Sequence, residues 1–335
     1  MANDIAPLLP SPMARRLLFT AGALLVYRLG CQIPVPGLNS DALLRLNGLL
    51  TVETVSIFAL GVTPFLSALF VFEFIKLIVP PLSRWETAKP ENTRRLSRYV
   101  YFAALVMAGV QARGVASALI EISGLIDGPE WEIPITITLV AGTVLLGWFG
   151  DRITARGLGN GFWLLVITPT LVNLPAAAAG ALELGRMGSV SEGTLAAAGL
   201  FLAVASVLVV ATAVTGRATT ESRVSGADFA SVWPPLLATY IASFVVSFFS
   251  LQAGDAAHLI LIAVLIAALT WLQSLGTSPQ ASRPIWVVAV VQIVICAGGE
   301  WLAHQVALPF AINGSWLIIV VTAMMSLLRS KDTAA

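Results

Sequence analysis

The sequence has very little charge for its length. Only 11% of its 335 residues are charged, whereas 57% are hydrophobic, and the mean hydropathy is +0.88. A soluble domain covers its surface with charged side chains, commonly about a quarter of its residues. The chain is therefore predicted to use the lipid bilayer as its solvent. Its net charge of +1 gives no indication of a nucleic-acid partner, and none is predicted.

Cysteine, histidine and catalytic motifs are also scarce. Cys31 and Cys296 lie in apolar stretches without C-x-x-C spacing, and His258 and His304 are isolated. We interpret the cysteines as buried apolar thiols, and we predict neither a metal site nor a cofactor. The sequence contains no G-x-x-x-x-G-K-[ST], H-E-x-x-H or G-x-S-x-G pattern, so it is predicted not to be an enzyme.

The abundant feature is the long, continuous apolar run. Backbone polar groups in lipid must be bonded internally, and runs that do not alternate favour helices over a barrel. About 20 apolar residues cross a hydrocarbon core. The candidate spans are 17–34, 56–80, 99–120, 133–150, 160–181, 194–214, 232–251, 259–274, 285–302 and 312–328. This pattern predicts an all-α polytopic membrane protein of about ten transmembrane helices in two five-helix halves, residues 1–190 and 191–335.

The distribution of basic residues predicts the orientation of these spans. With the N-terminus in the cytoplasm, the outer segments carry only Arg45 and Arg186, with Arg113 near an outer helix end. The inner segments then carry Arg15, Arg16, Arg84, Lys89, Arg94, Arg95, Arg98, Arg152, Arg156, Arg217, Arg223, Arg283, Arg329 and Lys331. Because cytoplasmic loops are enriched in lysine and arginine, both termini are predicted to be cytoplasmic.

Prolines interrupt the second predicted span of each half, at Pro64 and at Pro234-Pro235. Broken helices at corresponding positions indicate a pathway between the halves, although ordinary proline kinks are the alternative. Glu73 is the clear intramembrane carboxylate, with Lys76 three residues later. The pair is either functional or a neutralised pair in which Lys76 extends to the cytoplasm. The glycine-rich segment 156–161 is interpreted as a closely packed turn before a helix.

Several segments resemble the SecY protein-translocation channel family, in the family's order. They are RLLFT (16–20), YRLG (27–30) and IPVPG (33–37) for the first helix and its exit, SIFALGVTPFLSA (56–68) and IVPPL (78–82) for the second helix, DRITARGLGNG (151–161) before the fifth, VWPP (232–235) in the seventh and NGSWLIIVV (313–321) in the tenth. The resemblance covers the whole chain and is strongest in its first half.

The resemblance implies a protein-conducting channel in a bacterial inner membrane, with a translocated polypeptide as substrate and SecE-like and SecG-like subunits as partners. It implies a plug segment at about 38–52. It implies an apolar pore ring formed by Val62, Leu66, Val166, Thr170, Leu236 and Ile319. It also implies a lateral gate between the second and seventh helices, formed by Pro64, Leu69, Glu73, Lys76, Pro234, Pro235 and Thr239.

The departures from the family concern its docking loops. The plug segment is short, and the inner connections 216–231 and 275–284 are much reduced, although in the family they dock SecA or the ribosome. Binding of either partner is therefore doubtful. The remaining candidate docking residues are Arg84, Lys89, Arg94, Arg95, Arg98, Arg152 and Arg156.

Two other functions stay open. A non-conducting relative of the family could act as a membrane-protein insertion partner. A small-solute or ion transporter would instead need a polar midplane site, for which Glu73, Lys76, Thr168 and Thr239 are the candidates.

Overall fold

The computed structural model describes residues 12–45, 51–126, 128–188, 190–215, 229–248, 255–274, 279–306 and 317–321. Within them the chain is almost entirely helical, and two isolated bridges are the only extended pairings. The helices are α1 Pro12–Gly30, α2 Ser40–Arg45, α3 Thr63–Ile78, α4 Pro80–Ala88, α5 Pro90–Glu121, α6 Glu132–Arg156, α7 Gly161–Arg186, α8 Glu192–Thr215, α9 Phe229–Phe248, α10 Ala256–Ser274 and α11 Pro279–Val306.

Nine of the predicted spans correspond to described helices, and the tenth meets only residues 317–321. Among the described residues, five helical segments are long and apolar enough to cross a membrane, and Ala256–Leu272 is a shorter apolar helix. The five segments are Pro90–Glu121, Pro129–Arg156, Gly161–Arg186, Gly193–Ala211 and Trp286–Ala303. The long apolar runs thus form helices because helical hydrogen bonding satisfies the backbone within each segment.

The position of Pro64 in its helix differs from the prediction. Residues 56–62 form turns, and α3 begins at Thr63, so Pro64 occupies the first helical turn. Proline is tolerated there because the first N–H groups of a helix have no intrahelical acceptor. The expectation that Pro64 interrupts the second span is therefore wrong. Pro234 and Pro235 do lie inside α9, as predicted.

The chain divides into two compact units. The first contains the described residues within Met1–Ile75 and Pro90–Thr168, and the second contains those within Lys76–Lys89 and Pro169–Met325. The predicted division near residue 190 stays a prediction.

The first unit is built on a hairpin of α5 and α6. Ala104, Ala108, Ala112 and Ala116 of α5 are fully buried, and their spacing of four places them on one helix face. Small residues allow two helix backbones to approach closely. The alanines from Ala108 onward pack with Ile135 and Leu139 of α6 in one apolar cluster.

The turn from α6 to α7 is closely packed, as interpreted from its glycines. A Cβ on Gly157 would lie 2.4 Å from Thr20 Oγ1, and one on Gly161 would lie 2.2 Å from the Gly150 carbonyl oxygen. Thr20 Oγ1 of α1 accepts a hydrogen bond from the Leu158 amide at 2.9 Å. The glycines therefore allow the Thr20 side chain of α1 and the backbone of α6 to approach this turn closely.

In the second unit, α8 and α9 pack on α11, and α10 packs on both α9 and α11. Ala198 of α8 and Leu302 of α11 are buried together, with Phe201 beside them. A Cβ on Gly298 would lie 3.0 Å from the Phe201 ring. Small and apolar side chains therefore determine how closely these helices approach.

Candidate pore, gate and plug

The predicted plug segment lies in the loop of residues 36–54, which is named the outer loop for its predicted side of the membrane. Residues 46–50 of this loop lie outside the described part of the chain. The loop is closed at its base by main-chain hydrogen bonds. The Val35 amide donates to the Val55 carbonyl oxygen at 2.9 Å, and the Ile57 amide donates to the Ile33 carbonyl oxygen at 2.9 Å. Pro34 and Ser56 face each other between these bonds as an antiparallel bridge. The two ends of the loop are therefore held together.

The entering arm of this loop, residues 36–45, packs on the α5–α6 hairpin. Gly37 has a φ of 79°, and a Cβ there would lie 2.5 Å from the Trp131 ring. The Asn39 amide donates to the Leu125 carbonyl oxygen at 2.9 Å. Ala42 and Leu43 of α2 pack against the apolar cluster of the hairpin. This arm is therefore fixed by a backbone bond and by apolar contact.

The leaving arm, residues 51–54, lies in a short 3-10 helix, Val52–Val55, and an ion pair joins it to α1. Arg28 Nη2 donates to Glu53 Oε1 at 2.6 Å, and the two side chains are 22% and 30% exposed. Ser56 Oγ donates to the Glu53 carbonyl oxygen at 2.9 Å, and this bond fixes the backbone of Glu53. Sequence reasoning missed this pair because its members are 25 residues apart.

The predicted ring residues occupy both units. Val62, Leu66 and Val166 are buried in the first unit, and Leu236 and Ile319 are buried in the second. Thr170 is partly buried in α7. Buried aliphatic side chains at five of the six positions are compatible with an apolar ring. Their convergence on one axis stays a prediction.

The predicted gate residues lie on α3 and α9. Leu69 is buried and Glu73 is partly buried on α3. Pro234 and Pro235 are buried in α9, where Thr239 Oγ1 donates to the Pro235 carbonyl oxygen at 2.8 Å. That bond keeps the Thr239 hydroxyl within its own helix. The adjacency of α3 and α9 stays a prediction.

Lys76 differs from its expected placement. Its ammonium donates to Glu86 Oε2 at 3.1 Å, and the side chains of Lys76 and Glu86 are only 9% and 6% exposed. Of the two alternatives for Glu73 and Lys76, the one in which the Lys76 ammonium extends into solvent does not agree with this burial. Helix α4 begins at Pro80, shortly after α3 ends at Ile78. The change of chain direction between the two helices, a proline corner, brings Glu86 next to Lys76. The two prolines at 80 and 81 were the sequence signal for that corner.

The threonines proposed for a polar midplane site use their hydroxyl protons within their own helices. Thr168 Oγ1 donates to the Leu164 carbonyl oxygen at 2.5 Å, and Thr239 donates to Pro235 as described above. With Lys76 paired to Glu86, the side chains of Lys76, Thr168 and Thr239 each have a protein partner. This arrangement does not favour a solute site.

The predicted docking residues are all exposed. Because α5 and α6 form a hairpin, the first turns of α5 and the last turns of α6 lie at the same end. That end carries Arg94, Arg95 and Arg98 on α5 and Arg152 and Arg156 on α6, all exposed. The Arg152 guanidinium stacks 5.3 Å from the centroid of the Trp148 ring. Arg84 and Lys89 are exposed in and after α4.

The family model described as SecY matches residues 56–281. The protein translocase subunit SecY of Escherichia coli (strain K12) is 33% identical over 195 residues, which cover 52% of this chain and 44% of that protein. SecY of Pseudomonas aeruginosa is 35% identical over 213 residues, which cover 58% of this chain and 47% of that protein. The chain thus spans about half the length of the curated relatives it matches.

Two solved structures share the fold. One is described as the structure of a protein conducting channel, with a TM-score of 0.59 and 13% identity. The other is Sec61 in the canine ribosome–channel complex, with a TM-score of 0.61 and 13% identity. Each comparison covers 100% of this chain and 98% of the other. The predicted all-α, SecY-like fold is confirmed, and the chain belongs to the SecY family, whose members are multi-pass membrane proteins.

Proposed function

We propose that this chain is the channel-forming subunit of a protein-conducting channel, which translocates polypeptides or inserts them into a bacterial inner membrane. The observation that carries the proposal is the match of the SecY family over residues 56–281. Buried aliphatic side chains at the ring positions support it, since an apolar constriction excludes water and ions by dewetting. An apolar ring also makes no strong bonds to a passing chain. The substrate is then a polypeptide, and SecE-like and SecG-like subunits are its partners.

The experiment places a photo-crosslinking amino acid at one position at a time. Leu66 and Leu236 are proposed ring positions, whereas Phe102 on α5 is 69% exposed in the structure and serves as the control facing lipid. A secretory chain that is arrested partway through its translocation into membrane vesicles should crosslink to the two ring positions and not to position 102. Equal crosslinking from all three positions, or none from the ring positions, would contradict the proposal.

The pore ring predicts a second measurement. Leu66→Gly should wet the constriction and raise ion leak across planar bilayers, because water enters a constriction that has lost its apolar side chain. A solute transporter predicts altered substrate affinity without leak. A leak equal to that of the unmodified protein would contradict the assignment of Leu66 to the pore ring.

The lateral gate is proposed to lie between α3 and α9, with Leu69 and Glu73 facing α9. Cysteines at positions 69 and 239, in a background lacking Cys31 and Cys296, should form a disulfide on oxidation and stop transport. Addition of a reducing agent should then restore transport. Efficient crosslinking with transport unchanged would show that this boundary does not need to open.

Docking of cytoplasmic partners is proposed to be weak. Only four residues separate α10, ending at Ser274, from α11, beginning at Pro279. A standard interface buries roughly 800 Å² per partner, which so short a connection does not supply. Titration with SecA and with ribosomes at fixed salt should show weaker binding than a full-length SecY. Equal affinity would mean that the exposed arginines of α5 and α6 suffice for binding SecA or the ribosome.

The same short connections favour one alternative, a non-conducting relative that assists membrane-protein insertion. The two functions differ in the Leu66→Gly experiment. A channel leaks when its ring is opened, whereas an insertion partner supports membrane integration and shows no leak.

A further inference from the structure

Helix α4, Pro80–Ala88, begins where a predicted membrane span ends. Helix α3 ends at Ile78, and only Val79 separates the two helices. Ile78 and Val79 both expose their large apolar side chains. Such side chains at the end of a span face lipid, because their contact with water is unfavourable. Helix α4 therefore begins close to the surface of the membrane.

An ion pair keeps α4 close to that surface. Lys76 lies in the last turn of α3, and its ammonium joins the Glu86 carboxylate of α4 at 3.1 Å. A helix rises about 1.5 Å per residue, so a straight continuation of α3 would separate these two residues by about 15 Å along the axis. The chain instead leaves the helical conformation at Val79, where φ is −117° and ψ is 78°. Helix α4 therefore turns back beside the end of α3 and does not project away from it.

The exposed surface of α4 has two sides of different chemistry. Pro81, Trp85 and Ala88 are exposed, and their spacing of four and three residues places them on one helix face. The Trp85 side chain is 38% exposed although it is large and mostly apolar. Ser83 is also exposed, but it lies two residues from both Pro81 and Trp85, which is about 200° around the helix. The apolar face and the Ser83 side therefore point in nearly opposite directions.

Basic residues border the apolar face of α4. Arg84 is exposed beside Trp85 in the sequence, and Lys89 is exposed directly after the helix. Tryptophan is enriched where a membrane meets water, because its ring is apolar and its N–H is polar. Guanidinium and ammonium groups bind the phosphates that lipid headgroups carry. A tryptophan-bearing apolar face bordered by basic residues is typical of helices that lie in the plane of the interface.

We propose that α4 is an interfacial helix, which lies in the headgroup region of the membrane on the predicted cytoplasmic side. Its apolar face of Pro81, Trp85 and Ala88 is covered by phospholipid, and Ser83 faces water. The Lys76–Glu86 pair holds the helix in this orientation. The inference goes beyond the proposed channel function and does not depend on a pore. It also means that α4 meets lipid and is not a docking surface for a soluble partner.

The test measures the depth of single labelled positions in the full chain, reconstituted into vesicles of phosphatidylethanolamine and phosphatidylglycerol. Trp85→Cys and its matched control Ser83→Cys, each in a background lacking Cys31 and Cys296, are labelled with the fluorophore nitrobenzoxadiazole. The quenchers are a phospholipid with a doxyl group near the top of its acyl chain, and iodide in the water. The label at position 85 should be quenched strongly by the lipid. Its iodide quenching constant should be severalfold smaller than that at position 83.

Ala88→Cys labels the same face with a smaller change of side chain, and it should give the same result as position 85. It replaces Trp85→Cys if the size-exclusion profile shows that the latter variant is misfolded. Iodide quenching on the apolar face equal to that at position 83 would show a face open to water and overturn the proposal. Protection of positions 85 and 88 from both quenchers would show a cover of protein, and this result would overturn it as well.

Discussion

In the first unit, several polar side chains join one structural element to another, although others, such as Thr168, bond within their own helix. Thr20 of α1 binds the turn after α6, Gln111 of α5 donates to Ser67 of α3 at 3.2 Å, and Arg28 of α1 binds Glu53 of the outer loop. In the second unit, Ser206 of α8 and Thr239 of α9 donate to carbonyl oxygens of their own helices.

The difference has a physical consequence. A bond between elements specifies their relative position, because a polar group without its partner is costly in an apolar surrounding. A hydroxyl bonded to its own helix specifies nothing about a neighbouring helix. Where α8 meets α11, the small and apolar side chains Ala198, Phe201 and Leu302 make the contact, and apolar packing tolerates substitutions that conserve volume.

The Lys76–Glu86 pair joins α3 to α4 within the second unit, and breaking it should give the largest effect. Lys76→Met leaves the Glu86 carboxylate buried without its ammonium partner. We expect a loss of about 3–5 kcal/mol in the free energy of unfolding, measured in mixed detergent micelles. Lys76→Met combined with Glu86→Leu should recover most of that loss. A single variant as stable as the unmodified protein would show that the corner does not depend on this pair.

A second effect should come from backbone contact in the first unit. A Cβ on Gly142 of α6 would lie 2.0 Å from the Ile57 carbonyl oxygen, whereas a Cβ on Gly109 of α5 meets nothing within 4 Å. Gly142→Ala should destabilise the protein by about 2–3 kcal/mol because backbone must shift. Gly109→Ala is the control, and it should be neutral or stabilising because alanine favours a helix. Equal stability of the two variants would contradict the close approach of residue 57 to α6.

The smallest predicted effect compares a hydroxyl between elements with one inside a helix. Thr20→Val removes the acceptor of the Leu158 amide and should cost about 1–2 kcal/mol of unfolding free energy. Ser206→Ala on α8 removes a hydroxyl bonded to its own helix and should change stability by less than about 0.5 kcal/mol. The same unfolding measurement serves both variants. Equal costs would show that a hydroxyl bonded between elements contributes no more to stability than one bonded within its own helix.

The resemblance and the hydropathy of the sequence anticipated different parts of this molecule. The apolar runs predicted the helices, and the glycines of residues 156–161 predicted a closely packed turn that the structure contains. The ring and gate residues came from the resemblance alone. Single apolar residues such as Val62 and Leu66 look the same in the sequence whether they line a pore or pack in a core.

The sequence by itself determined that the chain is a helical membrane protein, because lipid leaves the backbone no partner outside its own segment and so makes hydropathy decisive. Tertiary structure alone decided which charges meet. Lys76 binds Glu86 and Arg28 binds Glu53 because a proline corner and an outer loop turn the chain back. It also decided that Pro64 begins a helix and does not break one. Pairings of this kind depend on the path of the backbone in space, which hydropathy along the sequence does not encode.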